Sequence, residues 1–307
     1  MKNLFSTKVC AGIVLYNPET ELLEKNIAAI EEQVDCIYLY DNGSKNTDEI
    51  TDMLKRHNST HYEYSEENKG IAYGLNKILD FAEKNGYEWF LSMDQDSICS
   101  PDMIEVYSRF ADDPEMGLIT PFIRANGKIS EKAYQDLNLP EWEQIDNTKV
   151  ITSACLSRTS VVREVGGFDN SLFIDYVDID LNCRIDLAGY KIIRANRAYL
   201  IQNMGEARVV PLFDYLYKLT KVNIFKKARI ASVYSDLRIY YYARNSYIVH
   251  KRYTNAGFRS TPLNILIVFC YYTVAYPFSR NRIKMWKNII KGFADGRKMY
   301  RNSQKEK

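Results

Sequence analysis

The feature that most restricts the fold is an alternation of two hydrophobic periods along the first third of the chain. Val9 to Tyr16 is a continuous apolar run, the pattern of a strand buried on both faces. Leu23, Ile27, Ile30 and Val34 then recur at helical spacing through a charged stretch. A second run, Cys36 to Tyr40, stops at the turn residues Asp41-Asn42-Gly43-Ser44. Thr47 reads as the N-cap of the next helix, with Asp48 and Glu49 in its first turn. Tyr62 to Tyr64 is a weaker strand signal, and Ile71, Leu75, Ile78, Leu79 and Ala82 form a helical stripe closed by Gly86. Tyr87 to Met93 is the next strand, and Ser100-Pro101 opens another helix.

Such repetition predicts an α/β fold with a mostly parallel sheet flanked by helices. Ligands of these sheets bind at the carboxyl ends of the strands, where Asn17, Asp41, Asn68 and Asp94 fall. The middle of the chain is mixed, with short strands expected at Leu118 to Ile123 and Val150 to Leu156. A helix is expected from Asp178 to Ala188 with Gly189 after it. Beyond Met204 the pattern changes to dense tyrosine, lysine and arginine, with one strongly apolar stretch from Leu263 to Phe278.

Composition excludes several classes. The six cysteines are scattered without a C-x-x-C pair and there are three histidines, which argues against a zinc site or disulfide framework and fits a reducing, cytoplasmic setting. The first apolar run ends in Asn17-Pro18-Glu19 with no small-residue cleavage site, so it reads as a strand and not a signal peptide. No G-x-G-x-x-G follows that strand, which disfavours a dehydrogenase. The net charge of +2 hides a basic C-terminal stretch: ten Lys or Arg from Arg280 onward against Asp295 and Glu306. That cluster lacks a recognisable nucleic-acid reading module, so no nucleic-acid partner is expected.

Two carboxylate clusters carry the chemistry. In Asp94-Gln95-Asp96 an extended backbone sends both carboxylates to one side and Gln95 to the other. Paired carboxylates are hard ligands for Mg²⁺ or Mn²⁺, although a solvated acidic turn has the same residues. The second cluster is Asp175, Asp178 and Asp180, with Arg184 placed to bind phosphate or to pair with a carboxylate such as Asp180. Asp178 also suits a plain helix N-cap.

Asp94-Gln95-Asp96-Ser97 resembles the D-x-D motif of the family 2 glycosyltransferases, which have the GT-A fold. Val14-Leu15-Tyr16-Asn17, Asp41-Asn42-Gly43-Ser44 and the run Asn68-Lys69-Gly70-Ile71-Ala72-Tyr73-Gly74-Leu75-Asn76 resemble further elements of that family, in order. Gly166-Gly167-Phe168-Asp169 and Phe173 to Asp180 resemble its acceptor-side segment, and Tyr241-Tyr242-Ala243-Arg244-Asn245 a motif of its rhamnosyltransferase branch. The resemblance implies a catalytic domain over 1–205, nucleotide-binding in 1–100 and acceptor-binding in 101–205, with a helical extension over 206–307. It implies a dTDP- or UDP-linked sugar donor at Tyr16, Asn17, Asp41, Asn68, Gly70, Asp94 and Arg184. Asp94 would meet the ribose, and Asp96 the metal.

Asp41 could accept a pyrimidine N3–H, or begin an Asx turn. The resemblance puts the base of an inverting transfer at Asp178, with Asp175 its competitor, and Thr152 and Ser153 on the acceptor side. Gln202 stands where many relatives have a histidine, which weakens the metal shell and keeps a non-catalytic sugar-nucleotide-binding protein in play. Ala154 stands where relatives often have glycine.

Leu263 to Phe278 is shorter than the roughly 20 residues of a membrane span. Its tyrosines and basic flank suit attachment to an anionic membrane surface, in keeping with a lipid-linked glycan acceptor. The alternative is a buried helix followed by a solvated basic helix that packs on the catalytic domain or in a homo-oligomer.

Overall fold

The computed structural model describes residues 8–125, 129–146, 148, 150–202, 207–232, 234–254, 258, 260–277 and 280–305. The chain divides into two compact units, one of Met1–Phe173 with Val177–Asn203, the other of Ile174–Tyr176 with Met204–Lys307.

The first unit carries strands β1 (Val9–Leu15), β2 (Cys36–Asp41), β3 (Thr60–Tyr64), β4 (Trp89–Met93), β5 (Ile98–Cys99), β6 (Met116–Ala125), β7 (Trp142–Gln144), β8 (Cys155–Arg158) and β9 (Lys191–Gln202). Its helices are α1 (Thr20–Ile30), α2 (Thr47–Leu54), α3 (Ile71–Lys84), α4 (Met103–Ala111), α5 (Glu131–Gln135), α6 (Thr159–Glu164) and α7 (Val177–Leu187). Among the described residues all nine strands join one sheet in the order β3-β2-β1-β4-β8-β6-β9-β5, with β7 also on β9. The β3-β2-β1-β4 half is parallel, so those four strands bring their carboxyl ends to one edge. β8 runs antiparallel between β4 and β6.

Both faces of β1 are buried, as its unbroken apolar run demands. Val9, Ala11, Ile13 and Leu15 join the core beneath α1, α2 and α4, with Leu23, Ile27, Ile30, Ile50, Met53 and Met103. The alternate residues face α3, where Gly12 admits Ile78 and Val14 fills the space over Gly74.

Three expected boundaries move. Thr47 is the first residue of α2 and Asn46 stands at the N-cap position. Ser100 opens no helix: its N–H and hydroxyl both pair with Tyr199, extending the β5–β9 ladder, and α4 starts after Asp102. Residues 150–154 are not strand, because Thr152 to Cys155 close a turn in which Ala154 adopts φ +57°.

The second unit contains β10 (Ala207–Val209) paired antiparallel with β11 (Ile230–Ser232), and helices α8 (Pro211–Thr220), α9 (Asn223–Ala228), α10 (Asp236–Arg252), α11 (Thr261–Ala275) and α12 (Arg282–Ser303). Ile239 and Ala243 of α10, Val268 and Tyr272 of α11, and Met285, Ile289 and Phe293 of α12 form one core. α10 and α12 touch at backbone distance, since a Cβ at Gly292 or Gly296 would lie 2.5 Å from the carbonyl oxygen of Tyr240 or Arg244. One face of α11 and of the basic helix α12 therefore serves packing within this unit, while Leu263, Leu266 and Ile267 of α11 stay exposed. Among the described residues no helix is long and apolar enough to cross a membrane.

Candidate active site

The parallel pairing of β1 with β4 places Tyr16 beside the loop that follows β4. Gln95 turns to Tyr16, accepting its N–H at 2.9 Å and donating to its carbonyl at 3.4 Å, so a side chain continues the ladder beyond the strands. The backbone of Asp94 is held on both sides: its N–H donates to Ser153 Oγ at 3.2 Å, and its carbonyl accepts from Asn26 on α1. Its carboxylate accepts the Gln202 amide at 3.3 Å. Asp94 and Asp96 are both half-buried. Burial, reinforced by the negative charge of Glu19, lifts the Asp96 carboxyl above its ordinary value, with its own backbone hydrogen bond opposing.

The polar residues at the ends of β1 to β3 are engaged differently. Asp41 is fully buried; one oxygen accepts Ser44 N–H at 2.8 Å, the Asx turn, and the other accepts Tyr62 Oη at 2.6 Å. Burial first, and then that carboxylate, raises the Tyr62 phenol above its usual value. Asn17, at φ +46°, accepts Lys45 N–H at 2.9 Å and donates its own N–H to Ser44 Oγ at 2.8 Å. Asn42 donates to Asn68 Oδ1 and the Gly70 carbonyl and accepts Lys69 N–H, while Asn68 Oδ1 also accepts Gly70 N–H. Tyr16 is the exception, with its ring half exposed.

Gly70 sits at φ +89° and ψ 163°, and a Cβ there would meet Phe173 Cα at 2.8 Å and its carbonyl at 2.6 Å. The close approach is thus to Phe173, whose carbonyl accepts Ile71 N–H at 2.7 Å. Asn76 pairs with the N–H and carbonyl of Phe168, fixing the Gly166–Asp169 turn on α3.

Asp178 lies in the first turn of α7, and its Oδ1 accepts Ile179 N–H at 2.8 Å. One turn on, Asn182 donates to the Val150 carbonyl at 3.0 Å. The loop from Val150 to Cys155 therefore ties α7 to the D-x-D segment, because Ser153 holds Asp94 and Ser92 Oγ donates to the Thr152 carbonyl. The fully buried Cys155 thiol is pushed up to about 12 by burial, against a hydrogen bond with Thr120 that lowers it, and the charges of Asp178 and Asp94 add smaller rises.

Arg184 donates twice to the buried Asp180, at 2.8 and 3.0 Å, and once to the Val165 carbonyl, which is the pairing reading of this residue. Asp175 belongs to the second unit and makes a bidentate pair with Arg238, closest at 2.9 Å. Asn203, Met204 and Gly205 of the late donor-side segment lie outside the described residues.

Sequence reasoning missed Asn26, Ser92 and Asn182 as positioning residues. Only Asn26 left a signal, as a polar side chain on the buried face of α1 between Leu23 and Ile27. Ser153 is buried, and its hydroxyl accepts the Asp94 N–H.

Residues 10–167 match the family model "Glycosyl transferase family 2", and the chain belongs to that family. It is 24% identical to the dTDP-rhamnosyl transferase RfbF of Shigella flexneri, over 95% of this chain and 96% of that protein. It is 29% identical to poly-beta-1,6-N-acetyl-D-glucosamine synthase of Staphylococcus aureus strain COL, over 59% of this chain and 46% of the synthase. The solved structure of S. aureus TarS 1-349 superposes with a TM-score of 0.51 at 13% identity, covering 98% of this chain and 92% of that one. The fold is accordingly GT-A-like, and the chain is a glycosyltransferase by family.

Proposed function

We propose that this protein is an inverting rhamnosyltransferase that moves L-rhamnose from dTDP-L-rhamnose to a hydroxyl of a growing, lipid-linked surface glycan on the cytoplasmic side. The observation that carries the reading is the 150–155 loop, which holds the backbone of Asp94 through Ser153 and the first turns of the Asp178 helix through Asn182, with Asp96 two residues from Asp94. The choice of rhamnose rests on the end-to-end similarity to the Shigella rhamnosyl transferase. The matching of 59% of this chain to a poly-N-acetylglucosamine synthase favours a second reading, transfer from a UDP-hexose.

The donor's diphosphate lies against Asp94 and Asp96, and its base beside the exposed ring of Tyr16. Asp41, Asn17 and Asn68 act by shaping the turns that receive it. Asp178 takes the proton of the acceptor hydroxyl as that oxygen attacks the anomeric carbon from the side opposite the diphosphate. The bond to the diphosphate breaks, the configuration inverts and no covalent enzyme intermediate forms.

The donor set suits Mg²⁺ or Mn²⁺: two half-buried carboxylates, one of them raised by burial without a cation, and the Gln202 amide alongside. Among the described residues no group of three or more His, Cys, Asp or Glu gathers, so an ion held by Asp94 and Asp96 would need oxygen ligands from the donor or solvent. Such an ion, when bound, offsets the charge that develops on the departing diphosphate.

Calorimetric titration with UDP, dTDP, GDP and CDP, each with Mn²⁺ and with EDTA, tests the proposal. Metal-dependent dTDP binding that disappears in Asp96→Ala supports it. Binding of UDP alone moves the donor to a UDP-sugar, and a folded sample that binds none of the four rejects the transferase reading.

A further inference from the structure

The α8–α9 pair has two apolar sides, and only one of them is packed within its unit. Phe213 of α8 stacks between Phe225 of α9 and Tyr271 of α11, and joins Val210, Ala231 and Ala275 in a small core. On the other side Leu212, Tyr215 and Leu219 recur at i, i+3 and i+7, followed by Val222 and Ile224. These five are 46–67% exposed. A solvated helix normally carries polar residues on its outer face. A contiguous apolar stripe there marks a contact surface.

The rim of that stripe is basic. From Val209 to Ile230 the chain has Lys218, Lys221, Lys226, Lys227 and Arg229 against the single acid Asp214. Asp214 is paired with both Lys218 and Arg229, so the excess positive charge comes mainly from Lys221, Lys226 and Lys227. Pairing with a second copy of the chain would bring two lysine rims together. A short helix with lysines around a Leu/Tyr/Ile stripe matches the requirements of an element lying in the plane of an anionic bilayer.

We infer that the α8–α9 face docks this protein on an anionic lipid surface. The contact is made by the outer residues of α8 and α9, whose apolar stripe has lysines at its rim; α11 also exposes Leu263, Leu266 and Ile267, but carries no lysine or arginine of its own. The inference stands independently of which sugar is transferred.

The test is co-sedimentation of the full chain with vesicles of phosphatidylcholine alone and of phosphatidylcholine with phosphatidylglycerol. Binding is expected only with phosphatidylglycerol, weakening as salt rises. Leu219→Asp should weaken it at least about tenfold, because a leucine that enters the lipid on binding is replaced by a charge. Lys226→Glu combined with Lys227→Glu should also weaken it at least about tenfold. Both variants alter exposed positions, and unchanged thermal melting verifies that they fold. Four results overturn the inference: no binding by the parent protein, equal binding to phosphatidylcholine alone, undiminished binding by Leu219→Asp, or a dimer in sedimentation velocity that Leu219→Asp dissociates. The last assigns the face to a second copy.

Discussion

Asn17, Asp41, Asn42 and Asn68 at the ends of β1 to β3, and Asp94, Asp96 and Asp178 near β4 and α7, are all short polar side chains at one edge of the sheet. They are used in opposite ways. In the first group the side chains bind backbone N–H groups and one another, and so build the turns. In the second group the surroundings build the carrier: Ser153 and Asn26 fix the backbone of Asp94, Gln95 fixes the approach to Tyr16, and Asn182 fixes α7. A motif residue can therefore mark a turn as readily as it marks chemistry. Mutations that separate stability from turnover tell the two apart.

The largest separation is expected at Asp178. Asp178→Asn keeps the size and the acceptor oxygen toward Ile179 but removes the proposed base, so turnover should fall about 10²- to 10⁴-fold. Its melting temperature and its affinity for nucleotide should stay close to those of the parent. A rate within threefold or so of the parent would move the proton acceptor elsewhere.

Gly70→Ala should show the reverse pattern. Its backbone region is almost exclusive to glycine, and the added methyl collides with the Phe173 backbone. Strain and overpacking together should cost at least ~3 kcal/mol, read by denaturant unfolding. A variant of unchanged stability with weakened donor affinity would return Gly70 to a direct role at the nucleotide.

Asp96 gives a smaller, pH-dependent effect. Its carboxyl is raised by burial, so protons compete with a divalent cation at pH values just above the usual carboxylate range. Mn²⁺ affinity should rise as pH increases through that range, by up to about tenfold per unit, and then level off once Asp96 is ionised. The ionised form is the disfavoured one in the folded state, so Asp96→Asn should stabilise the metal-free protein above that range. Calorimetry and melting curves read both signs, and a pH-independent affinity would remove Asp96 from the ion.

The parallel half of the sheet was legible because β1, β2 and β4 are short apolar runs ending in turn residues, and nothing distant modifies them. The antiparallel insertion of β8 was not, since it depends on a turn at Thr152–Cys155 that has no glycine to announce it. At the site, spacing showed the carboxylates of 94–96 and 175–180, and their roles came only from the family resemblance. The partners that hold them were not legible: Ser153 is 59 residues from Asp94, and Asn182 is 32 from Val150. Arg238, the ion-pair partner of Asp175, lies 63 residues beyond it and was equally out of reach of spacing.

Ala154 offers the smallest effect and the finest test of that turn. It is fully buried and left-handed at φ +57°, a conformation that costs a non-glycine residue about 1–2 kcal/mol. Ala154→Gly relieves the strain, but it loses a buried methyl worth roughly 0.8 kcal/mol and adds freedom to the unfolded chain worth about 0.4–1 kcal/mol. These terms nearly cancel, so the change should lie within about 1 kcal/mol of zero. Ala243→Gly, buried in the interior of α10, has no strain to relieve and should lose about 2 kcal/mol from methyl burial and helix propensity. The difference between the two variants isolates the strain at Ala154. Equal losses at both sites would mean that Ala154 carries none, and that the loop between Asp94 and α7 is held by its hydrogen bonds alone.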